Sequence, residues 1–213
     1  ETPIIMDAFC TLARVIDLDT IFFAWGSQHG TRPDSQRGTQ LFDVKNNTFK
    51  KLKDLNYPRW YGSLIRTSDD KFIMVGGIDL ATDIPSTIPE IIDLNEVSDG
   101  WKILRKAKSD DLFGKNQGQD EWYYPRSYLA SDGNIVGISY NKIWKMDKND
   151  DYRISKTNEL PLVKGGIANI IHTDPNNIEP NKHSEELKLL TIGSPVGKAN
   201  STVMIDKDKV YIF

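Results

Sequence analysis

The chain has 213 residues with a formal net charge of -3, 38% hydrophobic and 27% charged residues. That is enough chain for a sizeable core, in one domain or in part of a larger one. No basic stripe is present to drive counterion release, so nucleic acid is excluded as a main partner. No run approaches the roughly 18 apolar residues of a membrane helix. A single cysteine, Cys10, rules out an internal disulfide framework.

In chain order, the first pattern is an acidic turn followed by an apolar strand. Asp17-Leu18-Asp19-Thr20 leads into Ile21-Phe22-Phe23-Ala24-Trp25, and a strand carrying an aspartate, Gln40-Leu41-Phe42-Asp43, turns into Thr48-Phe49. The pattern recurs from Ser68-Asp69-Asp70-Lys71 into Phe72-Ile73-Met74-Val75, then Glu90-Ile91-Ile92-Asp93 with Gly100-Trp101. A third copy runs from Ser131-Asp132-Gly133-Asn134 into Ile135-Val136-Gly137-Ile138, then Lys142 to Asp147 with Asp151-Tyr152. A fourth begins at Asp206-Lys207-Asp208-Lys209 and stops in Val210-Tyr211-Ile212-Phe213. Beta-branched and aromatic runs bounded by Asp, Asn and Gly are turn chemistry between antiparallel strands. Helical periodicity is almost absent. Small-residue pairs close several of the apolar strands, at Gly26-Ser27, Gly76-Gly77 and Gly193-Ser194.

A hairpin, a strand ending in Asp and a closing aromatic strand, repeated at roughly 50-residue spacing, describe the four-stranded blade of a kelch-type β-propeller. The expected fold class is therefore all-β, with about three to four blades here. Residues 1–213 form a single propeller domain or a fragment of one, as in part of a seven-bladed ring, with the last run stopping inside a blade.

Several segments carry a more specific likeness. Met6-Asp7-Ala8-Phe9-Cys10, Gly26-Ser27-Gln28-His29-Gly30, Tyr57-Pro58-Arg59-Trp60-Tyr61-Gly62-Ser63 and Met74-Val75-Gly76-Gly77 resemble the start of the catalytic propeller of the glyoxal oxidase and galactose oxidase family. Pro89-Glu90 and Tyr124-Pro125-Arg126-Ser127-Tyr128 continue the resemblance in the glyoxal oxidase manner. It covers residues from about 5 to 147.

The resemblance implies a thioether between Cys10 and Tyr61, with Tyr61 also a copper ligand and the pair forming a radical cofactor. An ortho thioether and ligation lower the potential at which a phenolate gives up an electron, so one Cu(II) and one tyrosyl radical together accept two electrons. The implied substrates are small aldehydes or primary alcohols, with O2 reduced to H2O2. Trp60 is a candidate wall of the site, and Trp122, Tyr123 and Tyr124 are candidates for the same role or for ordinary packing at a blade edge. In this family the remaining ligands are a Tyr-His element and a later histidine, and none of His29, His172 or His183 stands in a Tyr-His element. Those ligands, and the remaining blades, are expected outside this chain. Secretion is implied by the family and is compatible with sequons at Asn46 and Asn200. A propeller that binds a protein or glycan without catalysis is the alternative.

Overall fold

The computed structural model describes residues 11–24, 37–116 and 121–159, together with the backbone of two short strands, Thr202–Met204 and Val210–Ile212. Its first sheet holds β1 (Leu12–Val15), β2 (Thr20–Ala24), β3 (Thr39–Asp43) and β4 (Thr48–Lys51) in sequential antiparallel order. The second holds β5 (Trp60–Arg66), β6 (Lys71–Asp79), β8 (Glu90–Asp93) and β9 (Lys102–Ile103), and a two-residue strand β7 (Ile84–Pro85) pairs with the end of β6. The third is β10 (Arg126–Leu129), β11 (Ile135–Ser139), β12 (Lys142–Asp147) and β13 (Arg153–Glu159). The two C-terminal strands, β14 and β15, pair with one another. All pairings are antiparallel, so the described fold is all-β and propeller-like.

The acidic turns form as their composition demands. Asp17 accepts from the Asp19 amide at 2.8 Å, and Asp132 from the Asn134 amide at 2.9 Å. At the aspartate-bearing strand ends, Asp43, Asp93 and Asp147 accept from the amides of Asn46, Asn95 and Asn149 at 2.8 to 2.9 Å. Each carboxylate satisfies an amide that has left the ladder, which fixes where the strand stops. Ile16 to Asp19 form the connection between β1 and β2, so the apolar strand that precedes Trp25 begins at Thr20.

Sheet packing follows from strand periodicity. Along β6 the residues Phe72 and Met74 point to one side, where they join Phe22, Ala24, Leu64, Ile92 and Trp101 in a cluster with the first sheet. Ile73 and Val75 point to the other, where they meet Ile135, Trp144 and Met146 of the third. Alternation that is apolar on both faces is what a sheet buried between two neighbours requires. A short segment missed by the β-pattern, from a 3-10 turn at Arg105–Ala107 to the one-turn helix α1 (Asp110–Phe113), plugs the second interface with Leu112 and Phe113. Ser109 caps that helix, accepting from the Leu112 amide.

Candidate functional site

The site is built where β5 begins. Tyr61 has φ 59, a left-handed backbone that an aromatic residue seldom adopts and that persists only when its surroundings enforce it. The β5–β6 ladder shows that enforcement. Trp60 pairs with Ile78 and Gly62 with Gly76, but the rung between them is open. The Tyr61 carbonyl accepts from the Tyr124 amide at 2.8 Å, the Gly77 amide donates to the Trp122 carbonyl at 2.9 Å, and the Gly77 carbonyl accepts from Ser86 at 2.8 Å. Backbone of the loop before β10, together with the Ser86 amide, thus takes up the Tyr61 carbonyl and both Gly77 backbone groups left out of the ladder. Gly76 and Gly77, at φ 63 and 85, make this approach possible. A Cβ on Gly76 would lie 2.6 Å from the Trp122 carbonyl oxygen and from Pro125, and one on Gly77 would lie 2.8 Å from the Arg59 Cβ.

Around this seam five aromatic rings converge. Trp60 stacks on Tyr61 with ring centroids 3.6 Å apart and planes 23° apart. Tyr123 meets Tyr61 edge-on at 5.0 Å, and Tyr124 lies tilted at 4.9 Å. Trp122 packs edge-on against Tyr123 at 5.2 Å. Tyr123 and Tyr124 thus lie against Tyr61, and Trp122 lies behind Tyr123. The Trp60 Nε1–H is buried and has no hydrogen-bond partner among the described residues.

Beneath the rings lies a charge pair that sequence reasoning missed. Arg59 and Glu90 form a salt bridge of 3.2 Å with both side chains at 0% exposure. Glu90 also accepts from the Asn56 amide and Asn56 Nδ2 at 2.7 Å each, and from the Tyr57 amide at 3.1 Å. Arg59 donates in addition to the Gly76 carbonyl at 2.7 Å and to the Ile88 carbonyl. Burial pulls the Arg59 guanidinium below its ordinary pKa, and Glu90 opposes that by its charge and its hydrogen bond. Residues 56 to 59 are therefore fixed from both sides directly before Tyr61. The available signal was a charged residue at the mouth of each apolar strand, Glu90 before Ile91-Ile92 and Arg59 before Trp60-Tyr61.

On the third-sheet side, Lys142 donates to Asp111 Oδ1 and to the Asp111 carbonyl at 2.8 Å, and to Glu121 at 3.1 Å. Burial pulls the Lys142 pKa down, but hydrogen bonds to Asp111 and Glu121 leave it raised. This lysine anchors the start of the Trp122–Tyr124 loop to α1.

Of the sequence-level candidates, Tyr61 and Trp60 are brought together, while Cys10, His29, His172 and His183 lie outside the described residues. Tyr61 can supply one phenolate oxygen to a copper ion. Among the described residues no cluster of three or more His, Cys, Asp or Glu side chains could hold a metal. The described donor set thus fits copper in one ligand only. Among the described residues no helix is long and apolar enough to cross a membrane.

Fold and site together define a propeller-like all-β chain with a constrained tyrosine at a seam between two sheets. No family model matches the chain, and no curated protein matches it. Among solved structures it is similar to a fungal alcohol oxidase of the AA5 family in complex with copper, with a TM-score of 0.55 and 18% identity over 76% of this chain. The match covers 32% of that oxidase, so the chain spans about a third of its length, and at this identity the likeness is one of fold.

Proposed function

We propose that the chain is the Tyr61-bearing part of a copper-radical oxidase that oxidises small aldehydes or primary alcohols, with O2 reduced to H2O2. The observation that carries this is Tyr61 itself, held at φ 59 with its ring stacked at 3.6 Å on Trp60. Backbone strain held beside a buried ion pair and a neighbouring loop is of the kind that gathers at functional sites, which supports this reading. The fold likeness to a copper-bound alcohol oxidase supports the same reading.

In this reading Tyr61 is the radical tyrosine and a copper ligand, Cys10 is its thioether partner, and the other ligands come from outside the described residues. Copper, when bound, supplies a one-electron couple beside the tyrosine. The chain's own described residues do the positioning. Arg59 and Glu90 fix the backbone before Tyr61, Trp60 covers one face of its ring, and Tyr123 and Tyr124 close other sides against water. An extracellular setting belongs to this proposal and agrees with the sequons at Asn46 and Asn200.

The test is intact mass and peptide mapping of the full-length protein after aerobic copper loading. Forming the C–S bond removes the thiol hydrogen of Cys10 and a ring hydrogen of Tyr61, with dioxygen taking both as H2O2. A joined Cys10–Tyr61 peptide pair lighter by two hydrogens is expected. Free Cys10 and unmodified Tyr61 would refute the proposal and leave a propeller that binds a protein or glycan.

A further inference from the structure

The hairpin registers of the three sheets define equivalent positions independently of any sequence motif. The rung next to the first turn of each sheet is Val15 with Ile21, Arg66 with Phe72, and Leu129 with Ile135. Counting back five residues from the first member of each rung reaches Cys10, Tyr61 and Tyr124. The sequence motif suggests a different match. Tyr57-Pro58-Arg59-Trp60-Tyr61 aligns with Tyr124-Pro125-Arg126-Ser127-Tyr128, which would make Tyr128 the counterpart of Tyr61. Backbone conformation decides between them. Tyr124 has φ 43, left-handed like Tyr61 at 59, whereas Tyr128 lies inside β10 paired with Val136. Tyr124 also touches Tyr61 twice, through its amide at 2.8 Å to the Tyr61 carbonyl and through its ring at 4.9 Å.

We propose that Tyr124 is a positioning residue for Tyr61, the third sheet's occupant of the position held by Tyr61 in the second. Its amide holds the open rung in place, and its ring limits the swing of the Tyr61 ring away from Trp60. The chemical relevance of that orientation rests on the role proposed for Tyr61, because coupling to a cysteine sulfur requires one ring carbon to face a fixed direction. A misplacement of about 1 Å in such a geometry can cost on the order of a hundredfold in rate.

The experiment uses the full-length protein and the variants Tyr124→Gly, Tyr124→Phe and Tyr128→Phe. Glycine suits the left-handed backbone at position 124, so the ring is removed while the amide contact and the fold are retained. In copper-free protein with labelled tyrosine, NMR reads the upfield ring-current shift that Trp60 imposes on the Tyr61 ring protons. Tyr124→Gly should abolish most of this shift, with Tyr124→Phe and Tyr128→Phe leaving it in place. On aerobic copper addition, the rate of Cys10–Tyr61 coupling should fall about tenfold or more in Tyr124→Gly and stay within about twofold in the two phenylalanine variants. An unchanged Tyr61 shift in Tyr124→Gly, or the same loss in Tyr128→Phe, overturns the proposal. Wild-type protein that never couples overturns the copper-radical reading instead, and the copper-free NMR comparison still decides the role of Tyr124.

Discussion

Replacing Glu90 by glutamine keeps its volume and removes its charge, which makes it a sharp probe of the network under the site. Five donor groups point at the carboxylate: the Asn56 amide and Nδ2 toward Oε2, and the Tyr57 amide, Arg59 Nε and Arg59 Nη2 toward Oε1. A glutamine must place its NH2 on one of those sides, so donor faces donor in either orientation. The Arg59 cation, at 0% exposure, then loses its counter-charge where no water can replace it. Removing one member of a buried pair costs about 3–5 kcal/mol. For a chain of this size each kcal/mol moves Tm by about 2–4 °C, so Glu90→Gln should melt roughly 6–20 °C lower. Urea unfolding should show the lower midpoint with an unchanged m-value. Substituting Arg59→Met in the same chain removes the orphaned cation, so the double variant should be little worse than the single one. Because the pair is dry, added salt should not rescue the loss. A Glu90→Gln variant within about 1 kcal/mol of wild type, or strictly additive losses in the double variant, would refute this account.

Two further outcomes follow from the geometry. Asp132 is held at a pKa of about 2, below the ordinary aspartate value of 3.8, by hydrogen bonds from the Asn134 amide and side chain and from Lys145. A depressed carboxylate contributes stability that is present above the unfolded value near 3.8 and is lost as pH falls toward 2. NMR titration should show the low midpoint, and Asp132→Asn should flatten the stability profile across that window; a midpoint at or above 3.8 refutes the assignment. Gly76→Ala should cost about 1–3 kcal/mol in thermal unfolding, because the new Cβ both strains a positive φ and strikes the Trp122 carbonyl. An alanine variant as stable as wild type would mean that the seam between the sheets relaxes freely.

Much of the architecture was legible in the sequence for a local reason. Asp17 and Asp132 each open a turn whose hydrogen bonds close within a few residues, Thr67 closes the turn around Ser68-Asp69-Asp70 in the same way, and the apolar runs after them are long enough to be strands. Burial on both sides of β6 was likewise implied by the unbroken run Phe72-Ile73-Met74-Val75. What escaped reading depends on distant partners. Arg59 and Glu90 are 31 positions apart, and nothing local says that each neutralises the other. Trp122, Tyr123 and Tyr124 could be named from the sequence as a site wall or as ordinary packing, but how closely they approach Tyr61 depends on the width allowed by Gly76 and Gly77, a property of the folded seam. The Tyr-Pro-Arg motif points to Tyr128, whereas strand register selects Tyr124, because a side chain's place in a sheet is set by its distance from the hairpin rung rather than by its neighbours in sequence. The helix at Asp110–Phe113 is too short to show periodicity and exists because Leu112 and Phe113 fill a gap between sheets.

The open rung at Tyr61 and Gly77 bears on how this chain comes apart. In arrays of repeated units, neighbours usually adhere through side chains, and each unit can loosen with limited effect on the next. Here the amides of Gly77 and Tyr124 are bonded to carbonyls of the adjacent unit. These two bonds join the second sheet to the loop that leads into the third. The second and third sheets should therefore behave as one cooperative unfolding unit, with the two amides exchanging at a common rate.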